Sequence, residues 1–207
     1  IARDGWTDPA ALLHRWGRIG YTLPTSPVAY YFGFAGCRVL SAVQTGLIAL
    51  LAWRTSRRLL GPCLAASAVA LLVWVQPLTF RLSLTTLTET TGALYLMLGV
   101  FLYLRGNRLW SCAAFSALFL ARDETLALAP LVVLAMVLDT RRQAGVDWKQ
   151  ALKSRRVWAG VGLLAAGPVL YVLATLPFNM PPDGDPLAIF TRHWSADSCA
   201  RWTDAKP

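Results

Sequence analysis

Two long stretches of this chain contain no charged side chain. Between Arg58 and Arg81 lie 22 uncharged residues, and between Arg156 and Asp183 lie 26. A helix needs about 20 apolar residues to cross the roughly 30 Å hydrocarbon core of a bilayer. Each stretch is therefore predicted to be long enough to cross a membrane as one helix.

The composition agrees with an apolar environment. Hydrophobic residues make up 56% of the 207-residue chain and charged residues 15%, with a mean hydropathy of +0.46. A soluble domain usually carries about 25% charged residues, so both an ordinary soluble domain and intrinsic disorder are excluded. The net charge is +9. Its bases fall in short clusters between apolar runs, which favours cytoplasmic loops of a membrane protein over a nucleic-acid partner.

Four further apolar runs follow the same logic. Residues 29–53 can span if Arg38 lies near one interface, and Gly33 or Gly36 could separate a short surface helix from the span proper. The runs 90–104, 109–121 and 125–138 have 15, 13 and 14 residues. At 1.5 Å per residue each covers only about 20 Å, a length more typical of buried or re-entrant helices.

Residues 109–138 leave two alternatives open: one helix with Arg122-Asp123-Glu124 at its centre, or two helices with that triplet at a turn. The basic residues favour two helices, because loops 54–58, 105–108 and 140–156 then hold 11 bases on one side, and nine of the 11 acids lie on the other. We therefore predict an all-α, polytopic transmembrane helix bundle of about six spans, with short helices in its outer loops.

As a single domain over residues 1–207, this bundle comprises an outer loop at 1–28, six helices within 29–177 and an outer loop at 178–207. The chain starts at Ile1 without a signal-peptide pattern, so we expect truncation at both ends and a missing upstream helix.

Ionisable residues at membrane depth are costly and usually functional. The triplet Arg122-Asp123-Glu124 is the strongest candidate, and the alternative is a plain turn whose charges neutralise one another. Glu89 precedes an apolar run, where it could simply stabilise the start of a helix. Asp4, next to Arg3, would follow the missing helix.

Other residues offer phosphate-binding chemistry but no metal site. Arg38 and Arg81 each lie at the outer end of a span, either as interface anchors or as ligands for a lipid phosphate. The four Cys are scattered without metal-ligand spacing, and Asp183-Gly184-Asp185 is typical of a turn. The sequence therefore indicates no certain cofactor, and it leaves a divalent cation open.

The order of several loose motifs resembles the membrane glycosyltransferases of the GT-C fold. More narrowly, residues 1–140 are similar to the dolichyl-phosphate-mannose protein mannosyltransferases and to the bacterial aminoarabinose transferase of lipid A. The motifs, in order, are Arg38-Val39-Leu40-Ser41-Ala42, Leu60-Gly61 after a basic loop, Gln76-Pro77-Leu78, Thr88-Glu89, and the Arg-x-Glu turn at Arg122 and Glu124.

The resemblance implies an enzyme of the cell (inner) membrane whose site faces the extracytoplasmic side. It would move a sugar from a polyprenyl-phosphate donor to a lipid, glycan or protein acceptor, among membrane lipids. Asp4 matches the family's base in the first outer loop, although this chain shows Arg3-Asp4-Gly5 where the family often has two neighbouring acids. The implied catalytic residues are Asp4, Glu89, Asp123 and Glu124, and the implied phosphate-binding residues are Arg3, Arg38, Arg81 and Arg122.

Two other classes stay open at this point. In a transporter or flippase fragment the same carboxylates would be coupling sites, and a non-catalytic membrane subunit would only pack against partners. The absence of a repeated half argues against a transporter. Cysteine labelling discriminates, since an enzyme of this kind should expose residues 1–27, 81–90 and 178–207 together on the outside.

Overall fold

The protein is an all-helical bundle in a computed structural model that describes residues 19–76 and 88–179, without the side chains of residues 88, 123 and 174–179. No strand occurs in these two ranges. A six-residue 3₁₀ helix, Asp123–Leu128, lies between two of the α-helices. The α-helices are α1 (Ile19–Leu60), α2 (Leu64–Val75), α3 (Thr88–Leu104), α4 (Arg108–Ala121), α5 (Ala129–Ala144), α6 (Trp148–Leu152) and α7 (Arg155–Asn179).

The predicted basic loops gather at one end of the bundle. The Arg58 guanidinium donates a hydrogen bond to the Leu104 carbonyl at 3.3 Å, which joins the end of α1 to the end of α3. Arg108 forms an ion pair with Asp139 at 2.5 Å, which joins the start of α4 to α5. We call residues 54–58, 105–108 and 139–156 the basic end; it holds 11 Lys and Arg against two Asp.

The opposite end collects the start of α3, the end of α4 and the 3₁₀ helix. There Arg122 forms ion pairs with Glu89 and Glu124. The start of α1 joins them, because a Cβ on Gly20 would lie 2.5 Å from the Ala121 backbone nitrogen. We call this the carboxylate end.

Helix α1 folds back on itself at Gly33. The Tyr95 hydroxyl donates to the Gly20 carbonyl, and the Thr91 hydroxyl donates to Gln44, so residues 20 and 44 both contact the first turns of α3. A straight helix from residue 20 to residue 44 would be about 36 Å long, whereas their partners Tyr95 and Thr91 are only about one helical turn apart. Helix α1 therefore cannot be straight between these residues. Gly33 supplies the bend with φ 60° and ψ −151°, a conformation that glycine tolerates best. The break predicted at Gly33 or Gly36 is confirmed at Gly33.

Helix α1 begins at Ile19, within the segment predicted to be an outer loop with short helices, and residues 1–18 lie outside the described residues. Pro24 and Pro27 lie inside this helix, where each removes one backbone donor. Pro24 leaves the Gly20 carbonyl without its usual partner four residues on, and the Tyr95 hydroxyl bonds that carbonyl at 3.1 Å. A tertiary contact thus replaces a hydrogen bond that the sequence of α1 cannot make.

Helix α4 is at the centre of the bundle. Eight of its 14 residues are buried, and it packs against α1, α3 and α7. Helix α7 approaches closely at Gly167, whose backbone N–H donates to the Ser116 hydroxyl at 2.9 Å. The main apolar cluster consists of Cys112, Phe115, Leu118, Phe119, Val132, Met136 and Leu164.

The choice between one helix and two over residues 109–138 is settled in favour of two, with the triplet at the turn between them. The second helix begins later than predicted, at Ala129, with Pro130 in its first turn as expected. The preceding residues form the 3₁₀ helix instead.

The prediction of about six spans is not confirmed. Two helices, α1 and the Arg155–Leu173 part of α7, are long and apolar enough to cross a membrane. Of the 22-residue run after Arg58, the structure describes residues 59–76, which contain the last two residues of α1 and the 12-residue α2. Helix α2 is shortened at its start by Gly61, with φ 78°, and at its end by Gln76, which precedes a proline and so leaves the helical region.

Candidate functional site at the carboxylate end

Arg122 is the centre of the candidate site. Its Nη1 lies 3.4 Å from Oε1 of Glu89, and its Nε lies 3.6 Å from Oε2 of Glu124. The Arg122 and Glu89 side chains are 31% and 35% exposed, and Glu124 is 49% exposed. The site is therefore partly desolvated, with the Glu89–Arg122 pair on its inner side.

The local structure explains how Arg122 reaches Glu89 across 33 residues of sequence. Arg122 ends α4 in an extended conformation, with its N–H bonded to the Leu118 carbonyl at 2.8 Å. Its aliphatic stem then lies against Gly92 of α3, where a Cβ would lie only 3.2 Å from Arg122 Cδ. Gly92 thus leaves room for the stem beside the first turns of α3.

Glu89 presents a buried oxygen that has no hydrogen-bond partner among the described residues. Its Oε1 faces Arg122, while Oε2 is buried and accepts no hydrogen bond from any residue in the described ranges. The neighbouring Thr90 hydroxyl is in the same situation. An unsatisfied buried polar atom costs about 1–3 kcal/mol, so native proteins keep few of them. The pair offers an acceptor and a hydroxyl that a bound molecule could satisfy.

Other buried polar side chains lie at the start of α3 and along α1. The Thr91 hydroxyl donates to the Gln44 side-chain oxygen at 3.1 Å and is fully buried. The parts of α1 before and after Gly33 each contain three polar residues at spacing i, i+3, i+4, which places the three on one helix face. The buried triplets are Thr22, Thr25 and Ser26, and Ser41, Gln44 and Thr45.

The sequence prediction missed these polar residues, together with Thr90 and Gly92. The spacing of the two triplets was the signal that could have revealed them, because polar residues that repeat on one face of an apolar helix indicate an inward-facing side. Nothing local marks Thr90 or Gly92, and Gly92 matters through its closeness to Arg122 at the end of α4.

The structure brings together three of the eight predicted site residues. Glu89, Arg122 and Glu124 meet at one end of the bundle. Asp123 lies in the same turn, with its side chain outside the described atoms. Arg3, Asp4 and Arg81, like Asp183 and Asp185, lie outside the described residues.

Arg38 lies at the same end but apart from the ion pairs. It is exposed, and its guanidinium stacks on the Phe34 ring at 4.5 Å. It is six residues before Gln44, about 9 Å along the helix axis toward the carboxylate end. No carboxylate in the described part of the chain pairs with Arg38, so its charge is available to an anion.

The site's chemistry is that of hydroxyl and anion recognition. Glu89 and Glu124 can accept hydrogen bonds from hydroxyl groups, and Arg38 can bind phosphate oxygens. Within residues 19–76 and 88–179, no group of three His, Cys, Asp or Glu side chains is placed to hold a metal ion.

Comparison with known proteins adds no relative. No protein-family model matches this chain, and neither a curated protein nor a solved structure matches it. The case for a function therefore comes from the chain's own residues and their arrangement.

Proposed function

We propose that this chain is an integral membrane glycosyltransferase that moves a sugar from a polyprenyl-phosphate donor to an acceptor on the extracytoplasmic face. The observation that carries the proposal is the Glu89–Arg122–Glu124 cluster at one end of an apolar bundle, where a buried carboxylate oxygen of Glu89 has no donor within the described ranges. A sugar or acceptor hydroxyl is the donor that this oxygen lacks.

The proposed reaction assigns each group a separate task. The acceptor oxygen forms a bond to the anomeric carbon of the sugar, and the bond from that carbon to the phosphate oxygen breaks. The acceptor's proton passes to a carboxylate, which the family resemblance assigns to Asp4. Such proton transfer contributes roughly 10²–10⁴-fold to the rate. Glu89 and Glu124, with Asp123 in the same turn, orient hydroxyl groups.

The leaving phosphate gains negative charge as the bond breaks, and fixed cations stabilise that charge. Arg38 is the described residue best suited to this task, because no carboxylate in the described ranges neutralises it. Arg3 and Arg81 join it in the proposal on sequence grounds. Arg122 is already engaged with two carboxylates, so its proposed role is to hold Glu89 and Glu124 in position.

An apolar groove supports a lipid-borne donor. It has a volume of about 650 Å³ and runs between α5 and α7. Leu126, two residues after Glu124, lines it near the carboxylate end, and Trp148 lines it toward the basic end. The polyprenyl chain would lie here, with its phosphate at the carboxylate end. A donor that arrives through the bilayer requires no nucleotide-binding loop.

The proposed orientation follows from charge. Loops rich in Lys and Arg remain in the cytoplasm, which places the basic end inside and the carboxylate end outside. A transporter would instead hold its coupling carboxylates near the middle of its helices. Glu89 is in the first turn of α3 and Arg122 is the residue that ends α4, so the cluster favours an enzyme at the membrane surface.

Transfer of a labelled sugar from a polyprenyl-phosphate donor by the full-length protein tests the proposal. Glu89→Gln removes a charged hydrogen-bond acceptor, worth about 1.5–3 kcal/mol, so we expect a loss of about tenfold to hundredfold in kcat/KM. Arg105→Gln, at the basic end, is the matched control and should leave transfer unchanged.

Asp4→Asn tests the base separately and should cost about 10²–10⁴-fold. Full activity of Asp4→Asn would remove Asp4 from that role. Full activity of Glu89→Gln, or no transfer at all by the wild-type protein, would contradict the proposed function.

A further inference from the structure

The basic end contains a second cavity, separate from the carboxylate end. It has a volume of about 490 Å³ and lies where the start of α4 meets the end of α5 and the start of α7. Its lining combines apolar residues with five polar or basic side chains. Those that bear on its chemistry are Asn107, Arg108, Thr140, Gln143 and Arg156.

Arg108 is held rigidly in the wall of this cavity. Its Nη2 pairs with Asp139 Oδ2 at 2.5 Å, and the Tyr103 hydroxyl donates to the same oxygen at 3.3 Å. Gln143 donates to the other oxygen of Asp139 at 3.4 Å. The Arg108 side chain is 15% exposed, and its Nε–H is buried without an acceptor in the described ranges. Its Nε–H donor therefore remains unused among the described residues.

The start of α4 adds donors to the same wall. Asn107 makes no side-chain cap, so the backbone N–H groups at Leu109 and Trp110, in the first turn, have no helical acceptor. Both residues line the cavity. The partial positive charge at a helix N-terminus favours an anion there.

Arg156 supplies a second full charge. It lines the cavity from α7, is exposed, and takes part in none of the ion pairs within the described ranges. Asp139 offsets Arg108 but not Arg156. The cavity therefore has net positive charge and several unused N–H donors, a combination that suits a phosphate group, whose oxygens accept forked bonds from arginine.

Exposed tryptophans indicate the depth of the cavity relative to a membrane. Trp110 is 71% exposed and Trp158 is 63% exposed, each two residues from an arginine of the cavity wall. Tryptophan is enriched where a bilayer meets water, and anionic lipid headgroups concentrate at the cytoplasmic surface. A phosphate at this level would be carried by a lipid whose chains extend along α7, where Trp158, Leu163 and Leu170 are exposed.

From this geometry we propose that the cavity formed by Arg108, Arg156 and the start of α4 binds the phosphate group of an anionic phospholipid at the basic end of the bundle. This site is distinct from the carboxylate end and does not depend on sugar transfer. The bound lipid would bridge α4, α5 and α7 at the basic end.

Lipid retention in nanodiscs tests this proposal. The full-length protein is reconstituted with mixed phosphatidylglycerol and phosphatidylcholine, and retained lipids are identified by native mass spectrometry. Wild type should retain phosphatidylglycerol preferentially. Arg156→Gln should lower that retention about tenfold or more, because a charged hydrogen bond is lost. Arg155→Gln is the matched control, since Arg155 is adjacent and exposed but does not line the cavity.

Equal losses in Arg156→Gln and Arg155→Gln would indicate general surface attraction and would overturn the proposal. Inorganic phosphate distinguishes the source of the ligand: in nanodiscs of phosphatidylcholine alone, it should raise the melting temperature less than phosphatidylglycerol does. Stabilisation by inorganic phosphate but not by phosphatidylglycerol would overturn the assignment to a lipid. Neither readout involves glycosyl transfer, so the two proposals can fail independently.

Discussion

The hydrogen bond from Tyr95 to the Gly20 carbonyl makes a sharp prediction about α1. Pro24 has no N–H, so it cannot donate to this carbonyl in the usual helical pattern, and the Tyr95 hydroxyl does so at 3.1 Å. Replacing Pro24 with alanine restores the helical donor. The cost of removing the Tyr95 hydroxyl should therefore depend on which residue stands at position 24.

The structure sets the size of the effect. In the natural sequence, Tyr95→Phe removes one hydrogen bond from a half-buried residue, a loss of about 1 kcal/mol. In a Pro24→Ala background the new backbone N–H at position 24 satisfies the carbonyl, and the cost of Tyr95→Phe should fall close to zero. The Pro24 ring is exposed, so its removal sacrifices little packing. The expected coupling in the double-mutant cycle is about 1 kcal/mol.

Thermal unfolding of the four proteins in detergent measures this coupling. For a chain of this length, 1 kcal/mol corresponds to a change of about 2–4 °C in Tm. Tyr30→Phe is the control, because Tyr30 is exposed and contacts Tyr31 through its ring. A Tyr95→Phe cost that is the same in the natural sequence and in the Pro24→Ala background would refute the reasoning.

Two further predictions concern the bend in α1 and the orientation of the basic end. Gly33→Ala should lower the free energy of unfolding by about 1–3 kcal/mol, because alanine is strained at φ 60° and ψ −151°. The control is Gly162→Ala, in open space on α7, which should be neutral or stabilising. Equal effects of the two substitutions would contradict the bend at Gly33. In a Cys199→Ser background, an impermeant maleimide should modify the exposed Cys63 from the cytoplasmic side only, while buried Cys112 stays unmodified. Labelling of Cys63 from the outside would reverse the proposed topology.

Much of the candidate site was predictable because charges are rare in an apolar chain. Glu89, Arg122 and Glu124 stood out for that reason alone. The turn between the runs 109–121 and 125–138 was predictable because two helices place the basic loops on one side. The contact between Glu89 and Arg122 was not predictable. It depends on the absence of a side chain at Gly92, which lets the arginine stem lie against α3.

Errors in the predicted fold came from proline and glycine. Gly61 and the proline after Gln76 shortened α2 within an apolar run that looked long enough to span. Apolarity indicates where a segment can be buried, whereas these residues determine how far the helix extends.

The amino-acid sequence alone determined that the chain is helical and apolar and that its basic residues cluster apart from most of its acids. Those properties follow from composition and from spacing along one dimension. Only the tertiary structure decided that α1 folds back at Gly33, that Glu89 meets Arg122, and that Arg108 and Arg156 line one cavity. Such contacts join residues dozens of positions apart, and they depend on how closely helix backbones approach, which spacing along the chain does not specify.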